Sequence, residues 1–558
     1  MEGALEKILP SVARPARYIA GEYNSVEKDL NKTDVKIALC FPDIYEVGMS
    51  HLGSRILYSL LNERDDIACE RVFAAWVDME EIMRKENMPL YSLESKRPVR
   101  EFDMIGFSLT YDMSYTNVVN MLDMAGIPKF SRERTSHGPI VMAGGPCTCN
   151  PEPVSDYFDF FIIGEAEEVI FEVIAVFKKY KKDKVKFLEN IAGIEGVYVP
   201  QFYKPDYDSG GTLIATRPIY PRAGSKIKRR IIKDLNNCFY PKKFIVPYIQ
   251  IIHDRIMIEI MRGCPNSCNF CQASSAYRPV RLRSKDAIID LAKENFKNTG
   301  YEEISLVSLS SGNHPAIKEI VSDLVAFFKD KGVGISLPSL RAEDIVALLP
   351  SLISEIHKTG LTFAPEAGTR RLRSAINKDI DMENLFRAVQ EASRHGWRRV
   401  KLYFMIGLPT ETDEDLLGIK DTVEKLKSIS NKLEITVSAA YFIPKPHTAY
   451  EREAMEQKNA LLAKGNMLKK ILDIKGVKLK LHNIDASFLE AVFSRGDRRL
   501  SEVIFRAWSA GARFDAWSEH FRFDIWLDAF KSCGIDPSYY ANRRIPPEEA
   551  LPWDHIAI

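Results

Sequence analysis

Three cysteines lie close together near the middle of the chain, and their thiols are the side chains best suited to hold a metal. Cys264, Cys268 and Cys271 follow a strand-like run at residues 256–261. Three thiolates do not complete a structural zinc site, which takes four protein ligands. They can bind three irons of a 4Fe-4S cube and leave the fourth iron open to a substrate-like ligand. The alternative is a zinc or iron site that a distant cysteine completes.

This loop resembles the cluster loop of the radical S-adenosylmethionine (SAM) superfamily, in which an aromatic residue precedes the third cysteine, as Phe270 does here. The resemblance implies that Cys264, Cys268 and Cys271 bind a 4Fe-4S cluster and that the backbone near Phe270 lies against the adenine of SAM. It also implies that the open iron chelates the amino and carboxylate groups of SAM. One electron from the cluster then cleaves the sulfonium and releases a 5′-deoxyadenosyl radical.

Apolar strands alternate with helices after this loop, which predicts an α/β fold. The predicted strands cover residues 256–261, 303–309, 333–340, 361–366, 399–406 and 434–442. Six such strands predict an open, partial (β/α)6 barrel of the TIM-like kind over residues 248–482, the form that the radical SAM superfamily uses. Chemistry in barrels of this kind gathers at the carboxyl ends of the strands.

Residues that follow the second and third barrel strands are expected to contact SAM. Ser310 and Ser311 occupy the place where the superfamily has a Gly-Gly-Glu-like segment that holds the methionyl amino group. Backbone carbonyls would have to accept those N–H bonds here. Ser336 and Arg341 follow the third strand, and an arginine suits the methionyl carboxylate. The alternative for Ser336 is an ordinary strand-end hydroxyl.

Residues after the fourth and fifth barrel strands extend this expected SAM site. Glu366 stands where related enzymes bind the ribose hydroxyls. Gly407 and Pro409 permit close approach of the backbone to an adenine ring. The alternatives are a surface pair between Glu366 and a neighbouring arginine, and a plain turn at Gly407. The segment Pro444-Lys445-Pro446-His447-Thr448, after the sixth strand, is expected to close the barrel mouth.

The first part of the chain carries its own set of short apolar strands separated by helices. These strands cover residues 35–41, 104–110, 139–143 and 158–163. The pattern predicts a parallel sheet covered on both faces, a doubly wound, Rossmann-like domain over residues 35–175. Ligands of such sheets bind beyond the carboxyl ends of the strands.

This domain resembles the cobalamin-binding domain that precedes the barrel in one large radical SAM subclass. There the loop after the first strand reads Asp-x-His-x-x-Gly, whereas here Asp43 and Gly48 enclose Tyr45 in the histidine position. Ser108 and the Gly144-Gly145 pair match the later nucleotide-loop and corrinoid-contact positions. A phenol binds cobalt weakly unless it is deprotonated. We therefore expect cobalamin either without this lower ligand or not at all, in which case the domain recognises substrate or packs on the barrel.

Two other features of the sequence each allow two interpretations. Cys147 and Cys149 could ligate a second metal, or they are buried thiols at a strand end. The basic run at residues 226–233 could contact RNA phosphate, or it is an edge strand protected by charge. In the C-terminal part, Trp508, Trp517 and Trp526 recur at a nine-residue spacing that predicts one inner, helix-like core face.

The composition is that of an ordinary globular chain with several domains. The chain has 558 residues, a formal net charge of +1 and nine cysteines, and no apolar run reaches the about 20 residues that cross a bilayer. We expect no membrane contact, and the odd number of cysteines indicates reduced thiols in a cytoplasm. The remaining predicted segments are an arm at 1–34, a β-rich connector at 176–247 and a helical region at 483–558.

Together these patterns predict a radical SAM enzyme with a cobalamin-binding-like domain, similar to an uncharacterised bacterial group of the superfamily. We expect it to modify an RNA or a protein of the translation apparatus, with cobalamin-dependent methyl transfer as the first hypothesis. The alternatives are a radical enzyme without cobalamin, which would catalyse rearrangement or sulfur insertion, and a non-catalytic iron–sulfur redox or scaffold protein. The resemblance implies a reductant such as flavodoxin or ferredoxin and a small companion domain protein as partners.

Overall fold

The computed structural model describes residues 2–338 and 361–558. Six strands form its first sheet, in the order β2-β1-β3-β4-β5-β6. Strands β1 to β5 run parallel, and β6 is antiparallel to β5. The six strands are β1 (Val35–Phe41), β2 (Ile67–Phe73), β3 (Met104–Ser108), β4 (Ile140–Gly144), β5 (Phe160–Ile162) and β6 (Val197–Tyr198). The predicted doubly wound sheet is confirmed.

Strand β2 is missing from the sequence prediction because two charges stand in its middle. In the structure both Glu70 and Arg71 are buried. The Arg71 guanidinium lies 2.8 Å from a carboxylate oxygen of Glu22 and 2.6 Å from one of Glu94. Buried charges persist when they are paired. These partners come from distant parts of the chain, so the local sequence does not announce the strand.

Helices cover the faces of the sheets and connect successive strands. The α-helices of the described residues are Glu2–Ile8, Tyr45–Gly48, Leu52–Asn62, Val77–Lys85, Tyr115–Met124, Ala166–Tyr180, Lys184–Ile191, Gln272–Ala276, Lys285–Thr299, Ile317–Phe328, Arg370–Ala375, Met382–Arg394, Asp413–Ile429, Lys458–Ile471, Ile484–Arg495, Leu500–Ser509, Phe523–Ser532 and Pro537–Ala541.

Short strands lie in the connector between the two main sheets. Strands β7 (Tyr203–Tyr207) and β8 (Leu213–Pro218) form an antiparallel hairpin. Strand β9 (Ile227–Lys228) pairs in parallel with the C-terminal strand Ile556–Ala557. The end of the chain is therefore attached to the connector that leads into the second half of the fold.

The second half contains two parallel sheets and one short antiparallel pair. Its strands are β10 (Ile256–Glu259), β11 (Met261–Arg262), β12 (Arg281–Leu282), β13 (Glu303–Val307), β14 (Gly334–Ser336), β15 (Leu361–Glu366), β16 (Arg399–Ile406), β17 (Glu434–Tyr441) and β18 (Val477–Leu481). The parallel sheets have the orders β10-β13-β14 and β15-β16-β17-β18, and β11 pairs with β12. Each of the six predicted barrel strands has a counterpart here. Hydrogen bonding among the described residues does not close these strands into a barrel.

The three C-terminal tryptophans do not share one helix, so that part of the sequence prediction is wrong. Trp508 and Trp526 lie on two successive helices, and Trp517 lies in the turn between them. Each indole N–H nevertheless donates to a partly or fully buried side-chain oxygen, of Asn120, Asp43 or Asp515. Two of these acceptors belong to the first sheet domain, so the C-terminal helices pack on that domain.

No helix in the described ranges is both long enough and apolar enough to cross a lipid bilayer.

Candidate functional site

The cysteine loop leaves β11 through a glycine that has no room for a side chain. Gly263 has a φ of +92°, in the left-handed region. A Cβ atom there would lie 2.6 Å from the carbonyl oxygen of Tyr277 and 2.8 Å from that of Pro279. Only glycine satisfies both demands. The backbone just before Cys264 is therefore pressed against the segment that returns after the loop.

Hydrogen bonds hold the middle of the loop against the end of helix Arg370–Ala375. The Asn269 amide donates to the carbonyl of Ile376 at 3.0 Å, and its side chain donates to the carbonyl of Ala375 at 2.9 Å. The Asn377 side chain donates to the Ser267 carbonyl at 2.7 Å. These contacts place the loop over the carboxyl end of β15.

Phe270 lies beside the carboxyl ends of β15 to β17, and the contact of its backbone with the adenine stays a prediction. Its ring packs on a small apolar cluster formed by residues that follow three neighbouring strands. Three of these residues are Ala367 after β15, Leu408 after β16 and Phe442 after β17. The loop and the carboxyl ends of β15 to β17 thus form one continuous surface.

The loop offers three thiols, which are the donors that iron–sulfur clusters take. Cys264 is buried, Cys268 and Cys271 are half-buried, and none of the three forms a disulfide. The Asn266 side chain donates to the Cys264 sulfur at 3.3 Å. Within residues 2–338 and 361–558, no three His, Cys, Asp or Glu side chains converge on a position for one metal ion. Cluster thiolates need not converge, because each binds a different iron.

The base of the loop is tied to the first sheet domain by an ion-pair network that the sequence analysis missed. Arg262 lies 3.3 Å from Glu165, 2.9 Å from Glu167 and 2.9 Å from Glu259. Arg281 lies 2.7 Å from Glu165. All five side chains are largely buried. Glu165 and Glu167 lie at the start of helix Ala166–Tyr180, where acidic residues are common. The sequence therefore does not indicate that these two glutamates face the cysteine loop.

The predicted contacts after β13 and β14 are only partly described. Ser310 and Ser311 are buried, and their hydroxyls bond within the loop: the Ser310 hydroxyl donates to the Asn313 side-chain oxygen at 2.6 Å, and the Ser311 hydroxyl lies 2.9 Å from that of Ser308. Ser336 is half-buried at the end of β14. Arg341 lies outside the described residues. Contacts of these residues with SAM stay predictions.

The structure brings the predicted residues after β15 and β16 to the same edge as Phe270. Glu366 accepts a hydrogen bond from Lys378 at 2.7 Å, and the Lys378 ammonium lies 5.9 Å from the centre of the Phe270 ring. Burial raises the pKa of Glu366, and Lys378 opposes that rise. The Gly407 amide donates to Glu411 at 2.7 Å. Pro409 is half-buried in the same turn.

Three non-glycine residues that follow adjacent strands have positive φ angles. They are Glu366 at +66°, Thr410 at +68° and His447 at +59°. Such backbone strain costs about 1–3 kcal/mol per residue and collects at functional sites. Five other described non-glycine residues also have positive φ angles, so such strain is not confined to this edge.

A cavity of about 270 Å³ lies between the first sheet and the helices that follow β1 and β5, and it reaches Arg262 and Tyr277 of the cysteine loop region. The predicted corrinoid-contact residues Ser108, Gly144 and Gly145 line it. Its walls are mainly apolar and glycine-rich, which suits a flat organic ligand with close backbone approach. The residues present in this cavity therefore fit part of a corrinoid.

Asp43, Tyr45 and Gly48 do not line this cavity. The buried Tyr45 hydroxyl donates to Glu22 at 2.9 Å, and burial raises the pKa of this phenol. Asp43 accepts from Trp517 at 3.0 Å, and Gly48 lies beside a separate void of about 20 Å³. The structure thus separates these three residues from Ser108, Gly144 and Gly145. Their contact with a corrinoid stays a prediction.

His51 does line the cavity, although the sequence analysis gave it no role. Its Nδ1 atom accepts from the Ser54 amide at 3.1 Å and caps helix Leu52–Asn62. The Ser54 hydroxyl lies 3.1 Å from that of Ser108. Burial lowers the pKa of His51 to about 4, so a neutral imidazole faces the cavity. The signal in the sequence is a histidine placed just before a helix.

Three further candidates from the sequence are His447, the pair Cys147 and Cys149, and the basic run at residues 226–233. The His447 Nε2 atom lies 2.9 Å from the Cys149 carbonyl, which joins the barrel mouth to the first domain. Cys147 and Cys149 belong to no metal-holding group among the described residues. In the basic run, Arg229 donates to the Ser275 carbonyl at 2.8 Å, and Arg230 lies 2.7 Å from Glu172. This run thus serves mainly internal contacts.

Two family models of radical SAM proteins match this chain, one in each half. The family model described as radical SAM proteins, N-terminal, matches residues 53–200, and that of the radical SAM superfamily matches residues 258–423. An uncharacterized protein of Methanocaldococcus jannaschii is 30% identical over 479 residues, which cover 84% of this chain and 90% of that protein.

Two further relatives match less closely. The tRNA-2-methylthio-N(6)-dimethylallyladenosine synthase of Syntrophomonas wolfei is 26% identical over 179 residues, which cover 30% of this chain and 40% of that protein. The solved structure of the radical S-adenosylmethionine methyltransferase TsrM from Kitasatospora setae, with cobalamin and a 4Fe-4S cluster bound, has a TM-score of 0.53. It is 13% identical, and the match covers 75% of this chain and 77% of that chain. At this identity the similarity shows the fold alone.

The geometry at Gly263 predicts a specific loss of iron in Gly263→Ala. The added Cβ meets two carbonyl oxygens in a left-handed backbone, which we expect to cost about 2–5 kcal/mol and to displace Cys264. The matched control is Gly300→Ala, where φ is +70° and nothing lies within 4 Å of the new atom. The control should lose about 1 kcal/mol and keep its iron. Iron per chain after anaerobic reconstitution and thermal melting check this, and equal iron in both variants would contradict it.

The burial of His51 predicts a pH-dependent stability. Because its folded pKa of about 4 lies below the ordinary value of 6.5, the unfolded chain binds protons first as the pH falls. This contribution is fully present above pH 6.5 and is lost between pH 6.5 and 4, amounting to roughly 3 kcal/mol. His51→Asn retains a helix-capping acceptor but does not titrate. As the pH falls across this range, the melting temperature should fall less for the variant than for the wild-type protein. An equal fall in both proteins would contradict the depressed pKa of His51.

Proposed function

This chain belongs to the radical SAM superfamily, and from that premise we propose that it is a cobalamin-dependent methyltransferase acting on a protein of the translation apparatus. The observation that carries the proposal is the position of the three-cysteine loop. The outer side of the loop lies over the carboxyl ends of β15 to β17. The base of the loop, at Arg262, borders the cavity that Ser108, Gly144 and Gly145 line. One loop therefore adjoins both expected cofactor sites.

Cys264, Cys268 and Cys271 would hold the 4Fe-4S cluster, which supplies the electron that cleaves SAM. Asn269 and Gly263 hold the loop in place, and Phe270 offers an apolar surface for the adenine. Glu366 would accept from the ribose hydroxyls. Burial raises the pKa of this carboxyl, and the Lys378 ammonium, 2.7 Å away, opposes that rise. Arg341, Ser310, Ser311 and Ser336 retain their proposed contacts with the methionyl group, and Gly407 and Pro409 with the adenine.

Ser108, Gly144 and Gly145 would line the corrinoid site, where the bound group supplies a methyl carrier. Arg262 contacts both the cavity and the cysteine loop, so it would keep the two cofactors in a fixed relation. Tyr45 is protonated and bound to Glu22, which supports a corrinoid without a ligand from this residue. Asp43 and Gly48 flank Tyr45 in the loop after β1, and their contact with the corrinoid stays a proposal.

Sulfur insertion is less well supported, although one relative is a methylthio-forming synthase. A second cluster would need three nearby cysteines in the first domain. Cys40 and Cys69 are buried in strands β1 and β2, where burial raises the pKa of both thiols. Cys147 and Cys149 are only two. A protein substrate is favoured over RNA because Arg229 and Arg230 of the basic run are bound to the protein itself. We place the reaction in the cytoplasm, with flavodoxin or ferredoxin as reductant and a small companion domain protein as partner.

Removal of one cluster ligand tests the enzymatic part of the proposal. We expect Cys268→Ala, after anaerobic reconstitution and reduction with dithionite, to lose 5′-deoxyadenosine formation from SAM by about 100-fold or more. Cys238→Ala is the matched control, because Cys238 is also half-buried but belongs to the connector. It should keep its activity. A wild-type protein that forms no 5′-deoxyadenosine would instead support a redox or scaffold role.

Reconstitution with hydroxocobalamin tests the corrinoid part separately. We expect the wild-type protein to retain about one cobalt per chain after gel filtration. Gly144→Leu should retain far less, because its side chain would fill the cavity. Gly193→Leu is the control, because nothing lies within 4 Å of a Cβ atom at that position. Absence of stoichiometric cobalt in the wild-type protein would remove the methyl-transfer mechanism and leave a radical enzyme without cobalamin.

A further inference from the structure

A second cavity, of about 190 Å³, lies where the two halves of the chain meet. Residues after β3 and β4, among them Asp112, form one wall. Lys445 after β17 and Glu490 on helix Ile484–Arg495 form another. We call it the junction cavity. The carboxyl ends of strands from both sheet systems open into it, which is where α/β proteins bind ligands.

The junction cavity adjoins the cysteine loop directly. Gln272, which lines it, follows Cys271 in the chain. The Gln272 side chain donates to the Pro446 carbonyl at 3.4 Å, across the mouth of the barrel. A molecule in this cavity therefore lies next to the loop that would hold the cluster, within the part of the fold where a radical would be formed.

The charges around the junction cavity sum to one negative charge. The Lys445 ammonium lies 2.8 Å from Glu490 and 3.2 Å from Asp112, and it donates to the Ser494 hydroxyl at 2.7 Å. These two carboxylates raise the pKa of Lys445, so its charge is retained. The lysine is thus shared between two anions, and one carboxylate charge is left over.

The remaining walls combine the polar side chains of Thr110, Tyr111, Asn150 and Gln272 with apolar surface. The Tyr111 hydroxyl donates to the second oxygen of Glu490 at 3.0 Å. Phe493, Pro146 and Pro446 line the cavity as well. A carboxylate oxygen that already accepts one bond can accept another. Glu490 therefore keeps acceptor capacity for a bound donor, whereas Asp112 already accepts from Lys445, Ser494 and Tyr115 and contributes mainly its charge.

We propose that the junction cavity holds the reacting part of the substrate and that this part is a cationic amine on an apolar carbon chain. The proposal rests on the proposed radical function and adds the chemical class of the substrate. The excess carboxylate attracts an ammonium or guanidinium group, and the ring of Phe493 packs on the carbons. A phosphate would meet two carboxylates and a lysine that is already neutralised. The same amine chemistry occurs in a free amino acid or polyamine and in a lysine or arginine side chain of a protein.

Paired probes of one shape and opposite charge test this on the full-length, anaerobically reconstituted protein. We expect n-butylammonium to bind about tenfold more tightly than butyrate, as measured by saturation-transfer NMR titration. Glu490→Gln keeps the size of the side chain and removes the excess charge, so it should abolish this preference. Asp112→Asn provides a second variant with the same expected effect. The matched control is Glu502→Gln, because Glu502 is exposed on the next helix and bonded to Arg506.

Equal binding of butyrate and butylammonium, or an equal effect of Glu502→Gln and Glu490→Gln, would overturn the proposal. Displacement of butylammonium by L-lysine or by a peptide with one internal lysine supports the proposal. The competitor that binds more tightly indicates whether the amine belongs to a free small molecule or to a protein. Displacement by bulk tRNA but by neither of these probes would overturn it in favour of RNA. Formation of 5′-deoxyadenosine without added substrate is measured in the same samples. If no 5′-deoxyadenosine forms, the radical function is contradicted. The preference for butylammonium over butyrate is measured separately and decides the amine proposal on its own.

Discussion

The steric limit at Gly263 controls the rest of the site. The chain must turn there in a left-handed conformation while it passes within van der Waals distance of the Tyr277 and Pro279 carbonyls. This close passage places Cys264 at the end of the short β11-β12 pair. It also directs the following residues toward the carboxyl ends of β15 to β17, where Asn269 and Phe270 find their partners. A side chain at this one position would move every cysteine that follows.

The same loop is held from its other end by buried charge. Arg262 is surrounded by three glutamates, two of which belong to the first sheet domain. Removing one member of such a buried network leaves an uncompensated charge, which costs about 3–5 kcal/mol. The network therefore fixes the distance between the cavity of the first domain and the cysteine loop. Contacts at the barrel mouth, such as His447 with the Cys149 carbonyl, join the same two domains a second time.

The two cavities divide the site by polarity. The larger one is apolar and glycine-lined, and its polar members include His51 and Ser108 together with the charged groups at its rim. The junction cavity is smaller, and charged side chains from three parts of the chain surround it. Because the cysteine loop borders both, a ligand in either cavity lies close to the same loop. This arrangement is consistent with a reaction that brings two organic molecules to one metal centre.

The sequence by itself determined the parts of the protein that depend on local pattern. The cysteine spacing, the strand and helix alternation in both halves, and residues such as Phe270, Glu366 and Gly407 at strand ends could all be read from neighbouring residues. Periodicity and strand-end position are local properties, and the structure places these three residues together at one edge.

Only the tertiary structure decided which distant groups meet. Strand β2 is hidden in the sequence because Arg71 is neutralised by Glu22 and Glu94 from elsewhere. His51 faces the large cavity while Tyr45 is withdrawn into a hydrogen bond with Glu22. The junction cavity joins Asp112 to Lys445, 333 residues further along the chain, and to Glu490. Charge pairing and burial act between groups that are close in space, and no local pattern records those distances.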